Sequence, residues 1–307
     1  MITSIFSKSK PINFLVVFFV TLLAFVLANL KLKNEPIVFS FIIEKAVIFS
    51  ICYLSILTLN FIVGKNSLTH KSNFEILLYC LFLLMIPQTL LNDRIIVSNF
   101  FIFLALRRIL SLRSQINLKK KLFDASFWIT IAALFYFWAI LFFILIFFIL
   151  ILYTDNKIKN WIVPFAGLIT VLLIITSYSV LVYDDFFEAF NISFNTSFDF
   201  SDYNSPKHIT AITILLSFGT WSSIFYLKAI KNKLKKFRPV LKAIFAMLLI
   251  AFSIVIIAPL KTGSEFLFLF APLAIIVTNY IEMIQEKWIK ELFLIVLIIT
   301  PFVLLML

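Results

Sequence analysis

The side chains with which this chain could do chemistry stand at the edges of its apolar runs. The acids are Glu35, Glu44, Asp93, Asp184 and Asp185, and the cations closest to such positions are Lys45, Arg94 and Lys261. Ionisable groups near membrane depth are costly, so each is a functional candidate. Glu44 and Lys45 lie about two turns into one run. As helical neighbours they do not face one another, so they read as separate charges, with Lys45 snorkelling to the outer interface. Carboxylates and cations gathered at one membrane surface can hold a divalent metal, contact a phosphate or supply a general base. Leu91-Asn92-Asp93-Arg94 is the sharpest of these sites, because a tight turn between two spans keeps its charges close to the lipid surface. Each single carboxylate is also explained as a solvated loop charge.

The elements that must position these groups are membrane spans. Of the 307 residues, 63% are hydrophobic and 14% charged, and the mean hydropathy is +1.09. No soluble fold hides that much apolar surface. A span needs about 20 apolar residues for a bilayer core of about 30 Å. Spans are expected near 11–30, 44–63, 74–91, 95–108, 123–136, 138–153, 161–182, 209–227, 239–259, 266–281 and 292–307. This makes an all-α, polytopic transmembrane bundle of about eleven spans, with ten as the alternative. It forms a single membrane domain over 1–307.

Phe123 to Tyr153 decides the count. One steeply tilted helix would put the basic cluster from Lys228 to Arg238 outside. Two short helices meeting at Tyr136-Phe137-Trp138 put 20 of the 27 Lys and Arg in segments on the cytoplasmic side, as the positive-inside rule requires. The hairpin is therefore preferred, with a cytoplasmic N-terminus and a periplasmic C-terminus in a bacterial inner membrane. The basic first ten residues lead into a run without a small-x-small cleavage site, which reads as a first span and not as a signal peptide. The net charge of +12 is topological and calls for no nucleic acid, although the basic clusters also suit anionic headgroups.

The longest external loop, about 184–208, sets Phe186, Phe190 and Phe194 at helical spacing, as in a helix lying at the interface. Pro36 to Ile43 reads either as a second interfacial helix or as the start of a long, tilted span.

From Leu77 to about Tyr183 the order of features resembles the membrane core of C-type (GT-C) glycosyltransferases. A pair of spans ends in Leu-Leu-Met-Ile-Pro-Gln, followed by a tight Asn92-Asp93 turn and a short span into Arg107-Arg108. Then come a small-residue helix from Ala125 to Tyr136, a further apolar helix and Pro164-x-x-Gly167. Lys261-Thr-Gly-Ser-Glu before an apolar run is similar to the family's cation-preceded late span. The resemblance implies use of a polyprenyl-phosphate-linked sugar at the periplasmic face. It implies catalytic or metal-binding acids at Glu35 and Asp93, and lipid-phosphate contacts at Arg94 and Lys261. The chain departs from that pattern in its short first loop, in Ala and Ser at small-residue positions and in the lack of a soluble acceptor domain, so a catalytically inert relative is equally implied. The chain as a whole also resembles an uncharacterised family of bacterial membrane proteins.

No P-loop, zinc-protease, nucleotide-turn or nucleophile-elbow motif occurs. Two alternatives stand beside the glycosyltransferase. One is a non-enzymatic subunit of an envelope assembly or secretion complex, with membrane-protein partners. The other is a small-solute transporter, for which Glu44 and Lys45 would have to line a midplane cavity.

Overall fold

The computed structural model describes residues 2–30, 39–70, 72–153, 158–186 and 195–306, and among these there is no strand. A short α1 (Ile2–Phe6) precedes α2 (Pro11–Asn29), α3 (Phe39–Asn66), α4 (Phe74–Met85), α5 (Asp93–Ser111) and α6 (Leu118–Phe135). Then follow α7 (Phe143–Leu152), α8 (Ile158–Tyr183), α9 (Pro206–Asn232), α10 (Arg238–Ile257), α11 (Leu267–Met283) and α12 (Lys287–Met306). The apolar runs thus become helices in the expected order. Eight of them, α2, α3, α5, α8, α9, α10, α11 and α12, are long and apolar enough to cross a bilayer by length and composition. The protein is an integral membrane helical bundle.

α11 lies at the centre: 83% of its apolar stretch is buried, against 17% in α8. It packs on α4, α9 and α10. All twelve residues of α4 are buried. That helix is about 18 Å long, too short to cross a hydrocarbon core alone. Irregular backbone at such depth is tolerated where surrounding protein shields it, and α4 passes directly into a 3-10 turn at Pro87–Leu90.

The run from Phe123 to Tyr153 is broken as expected. α6 stops at Phe135, Tyr136 adopts an extended conformation (φ −145°, ψ 105°), and a 3-10 segment from Phe137 to Phe142 leads into α7. In contrast, α3 runs unbroken for 28 residues from Phe39. At 1.5 Å per residue this is about 42 Å, so the stretch up to Ile43 is, from Phe39 onward, the beginning of a long tilted span.

In lipid, apolar side chains gain little by exchanging tails for one another, so close approach and interhelical hydrogen bonds hold the bundle. Gly167 of α8 lies against Ser126 of α6, and a Cβ there would come within 2.8 Å of the Phe123 carbonyl. Ser98 of α5 donates to the Ala132 carbonyl at 2.9 Å, and Asn99 donates to the Tyr79 hydroxyl of α4 at 3.0 Å. Tyr226 of α9 reaches the Leu241 carbonyl of α10 at 3.0 Å. Such bonds average about 0.6 kcal/mol each in membranes.

Contacts sort the connections onto two faces. On one, the Asn73 N–H bonds the Phe6 carbonyl, Asn279 donates to the Leu68 carbonyl, and the His70 N–H and Ser72 hydroxyl donate to Glu282. Arg113 reaches the Asn66 carbonyl and lies over Phe237, while Arg108 pairs with Asp124 at 3.1 Å. This is the basic face. The other face assembles the turns around Asn92, Tyr136 and Thr262 with the segment before α9.

Candidate functional site

The Asn92 turn is built by helix capping. Pro87 starts the 3-10 turn that ends α4, and Asn92 then caps α5, its side-chain oxygen accepting the Ile95 N–H at 3.3 Å. Asp93 and Arg94 consequently occupy the first turn of α5. A carboxylate is favoured there by the helix dipole. Lys45 completes its environment: Nζ lies 2.7 Å and 2.9 Å from the two Asp93 oxygens, with both side chains partly buried. Lys45 therefore reaches the level of the Asn92 turn and is bound there, while Glu44 is exposed beside it.

The second wall is the turn between α10 and α11. Lys261, only 2% exposed, points into the protein and donates from Nζ to the Val255 and Ile256 carbonyls at 2.8 and 2.6 Å. It thereby satisfies orphan carbonyls at the end of α10. Burial holds its pKa below the usual lysine range. The Phe200 ring covers the ammonium at 4.8 Å. Gly263 has φ +88°, a left-handed conformation in which a β-carbon is strained. Glu265, 1% exposed, accepts the Gly263 N–H at 3.3 Å and the Tyr203 hydroxyl. The hydroxyls of Thr262 and Ser264 are 2.6 Å apart at the lip of this turn.

Two adjoining clefts open between these walls, of about 210 and 450 Å³, and both are lined by Asn92, Arg94, Thr262 and Ser264. The smaller continues along Phe135, Tyr136, Phe137 and Trp138, the larger along Gln88 and Asp93. Arg94 is exposed and belongs to neither salt bridge among the described residues. A guanidinium ringed by hydroxyl and amide groups is suited to a phosphate oxygen, since its planar donor fork matches that geometry. The aromatic wall beside it suits an apolar or ring-shaped substituent.

The sequence candidates thus fall into groups. Asp93 and Arg94 share the cleft rim. Lys261 belongs to the turn that lines the cleft, but its ammonium is committed to helix carbonyls. Glu44, Asp184 and Asp185 are exposed and do not line either cleft, the two aspartates following the end of α8. Glu35 lies outside the described residues, as do Phe190 and Phe194 of the expected interfacial helix. Among the described residues no three His, Cys, Asp or Glu side chains converge as metal ligands would.

The chain belongs to the family of unknown function DUF6427. The family model matches residues 1–306, the whole membrane bundle. No curated protein and no solved structure matches the chain. Membership attaches no activity to the chain.

Sequence patterns did not single out Tyr203 or pair Lys45 with Asp93. Glu265 was visible as an acid before the late span, although nothing local signalled its burial. The Lys-x-Gly-x-Glu spacing at 261–265 was the available cue, with a glycine that permits the turn between a cation and an acid.

Proposed function

We propose that this is a membrane protein whose Arg94 cleft holds the phosphate of an isoprenoid-type lipid, on a helical core of the C-type glycosyltransferase kind. The observation that carries the reading is the placement of Arg94 with Asn92, Thr262 and Ser264 around one cleft, flanked by the aromatic wall from Phe135 to Trp138. By the positive-inside rule this face is periplasmic, where polyprenyl-phosphate sugars are used. The helix order of the sequence resemblance supports the same assignment.

Within this reading, lipid binding is better supported than sugar transfer. Both Asp93 oxygens are engaged by Lys45, so a catalytic or metal-binding Asp93 requires that pair to open. The transferase form assigns the acids to Asp93 and Glu35. Titrating polyprenyl phosphate into protein in nanodiscs, with a neutral polyprenol as control, tests the binding form. Binding of the phosphate that is weakened about tenfold or more by Arg94→Gln is expected, the loss of one charge-assisted contact. Equal affinity for the neutral alcohol would overturn the proposal. If Asp93→Asn and Glu35→Gln leave cellular complementation normal, the transferase form is eliminated.

A further inference from the structure

The turn that presents Thr262 and Ser264 to the cleft is held at both ends by side chains, and one external segment touches both anchors. At the first end Lys261 is tied to the Val255 and Ile256 carbonyls, and Phe200 covers its ammonium at 4.8 Å. At the second end Glu265 accepts the Gly263 N–H, and Tyr203 donates its hydroxyl to the same carboxyl oxygen. Tyr203 is 8% exposed and its ring packs on Phe266 with centroids 5.6 Å apart. Phe200 and Tyr203 sit at the beginning and within a short 3-10 turn, Ser201–Tyr203, which places both rings toward the 261–266 turn. Ser201 is itself fixed, its N–H donating to Asp199 at 2.9 Å.

A buried carboxyl is expensive unless its oxygens are bonded. Glu265 therefore binds the turn to the segment: removing the Tyr203 hydroxyl leaves the carboxyl with donors from its own turn only, the Gly263 N–H and the Thr262 hydroxyl, and frees the turn to move away from the segment. Thr262 and Ser264 flank that glycine and would move with it.

We propose that Glu265 and Tyr203 are positioning residues for the Arg94 cleft, the 195–205 segment acting as a clamp that fixes the hydroxyls of Thr262 and Ser264. This role rests on the lipid-phosphate reading of the cleft, but the clamp has a consequence of its own. Tyr203→Phe loosens the turn with or without any lipid ligand. Glu265→Gln keeps an acceptor for both donors and behaves as wild type, whereas Glu265→Leu behaves as Tyr203→Phe.

The test uses full-length protein in phosphatidylcholine nanodiscs, with a cysteine introduced as Ser264→Cys, a position only 2% exposed and so protected while the turn is clamped. The native Cys52 and Cys80 are buried at 2% and 0% exposure and stay silent. Maleimide labelling of that cysteine is expected to quicken about tenfold in the Tyr203→Phe background, the equivalent of one lost hydrogen bond between neutral groups, and to stay within about twofold of wild type with Glu265→Gln. In protein that keeps Ser264, polyprenyl phosphate affinity should fall with Tyr203→Phe while thermal unfolding stays cooperative. Unchanged labelling in Tyr203→Phe overturns the clamp, and Tyr203→Phe serves alone if Glu265→Leu does not fold. Faster labelling in a protein whose wild type binds no polyprenyl phosphate upholds the clamp and removes the lipid reading instead.

Discussion

Lys45 and Asp93, 48 positions apart, close a two-pronged ion pair that ties the start of the long helix α3 to the first turn of α5. The pair is partly buried, so its worth belongs near the upper end of the range for exposed pairs, about 1 kcal/mol. Lys45→Met and Asp93→Asn should each lower the melting temperature in detergent, and the double variant should be less destabilised than their sum. Additive losses in that cycle would mean that the two charges do not interact.

The α6–α8 contact leaves no room at Gly167. Gly167→Val forces atoms against the Phe123 carbonyl and the Ser126 side chain, and should cost about 1–3 kcal/mol by overpacking. Gly64, also helical, has nothing within 4 Å of the place where a Cβ would stand. Gly64→Ala should therefore stabilise by about 0.4–1 kcal/mol through the unfolded state. Thermal melts of both variants check the contrast. Equal effects at the two glycines would remove the claim of close packing.

Lys261 gives a pH dependence of definite sign. Its folded pKa is depressed by burial, so between that value and the ordinary 10.5 the unfolded chain binds the extra proton. Stability contributed by this residue is lowest below the folded pKa and rises as pH climbs toward 10.5. The neutral amine still has two N–H donors for its two carbonyls. Melting temperatures of wild type and Lys261→Met, measured from pH 8 to 10.5, should diverge in favour of wild type as pH rises. Convergence would indicate an ammonium stabilised by its site.

Connectivity can be tested from the two faces. An impermeant thiol reagent added to intact cells should label a cysteine placed at Thr262 and spare one placed at Lys120. A reporter fused after Asn160 should be active only in its cytoplasmic form. Labelling at both positions, or at Lys120 alone, would reverse or break the orientation.

The helix order was legible because polar punctuation interrupts the apolar runs, as Asn92-Asp93-Arg94 does. The break at Tyr136 was legible only through the bookkeeping of charges elsewhere, since Phe, Tyr and Trp carry no turn chemistry. There the chain turns by one extended residue and a 3-10 segment, which packs against α6 and α10. Glu75 was hidden inside an apolar run. It proves to be 1% exposed, in the first turn of α4, where a helix N-terminus favours an acid. The partners of Lys45, Lys261 and Glu265 were invisible for a different reason. Lys45 and Glu265 meet Asp93 and Tyr203 across the bundle, and Lys261 turns back onto the Val255 and Ile256 carbonyls that end α10, and spacing along a chain reports none of these. For the cleft, Arg94 and Asp93 were readable from the tight turn, whereas Thr262, Ser264 and Tyr203 required the fold.

The complete enclosure of α4 has a consequence for how the protein is made. Its cover comes from α2 and α3, which are translated just before it, but also from α11 and α12, which leave the ribosome well after it. Until Leu267 and the residues after it have entered the bilayer, a short helix carrying Glu75 has one side without its final neighbours. Nascent chains halted before α11 should therefore be held by insertion chaperones or degraded, and the quality-control machinery of the membrane would see the enclosure of α4 as a single late event.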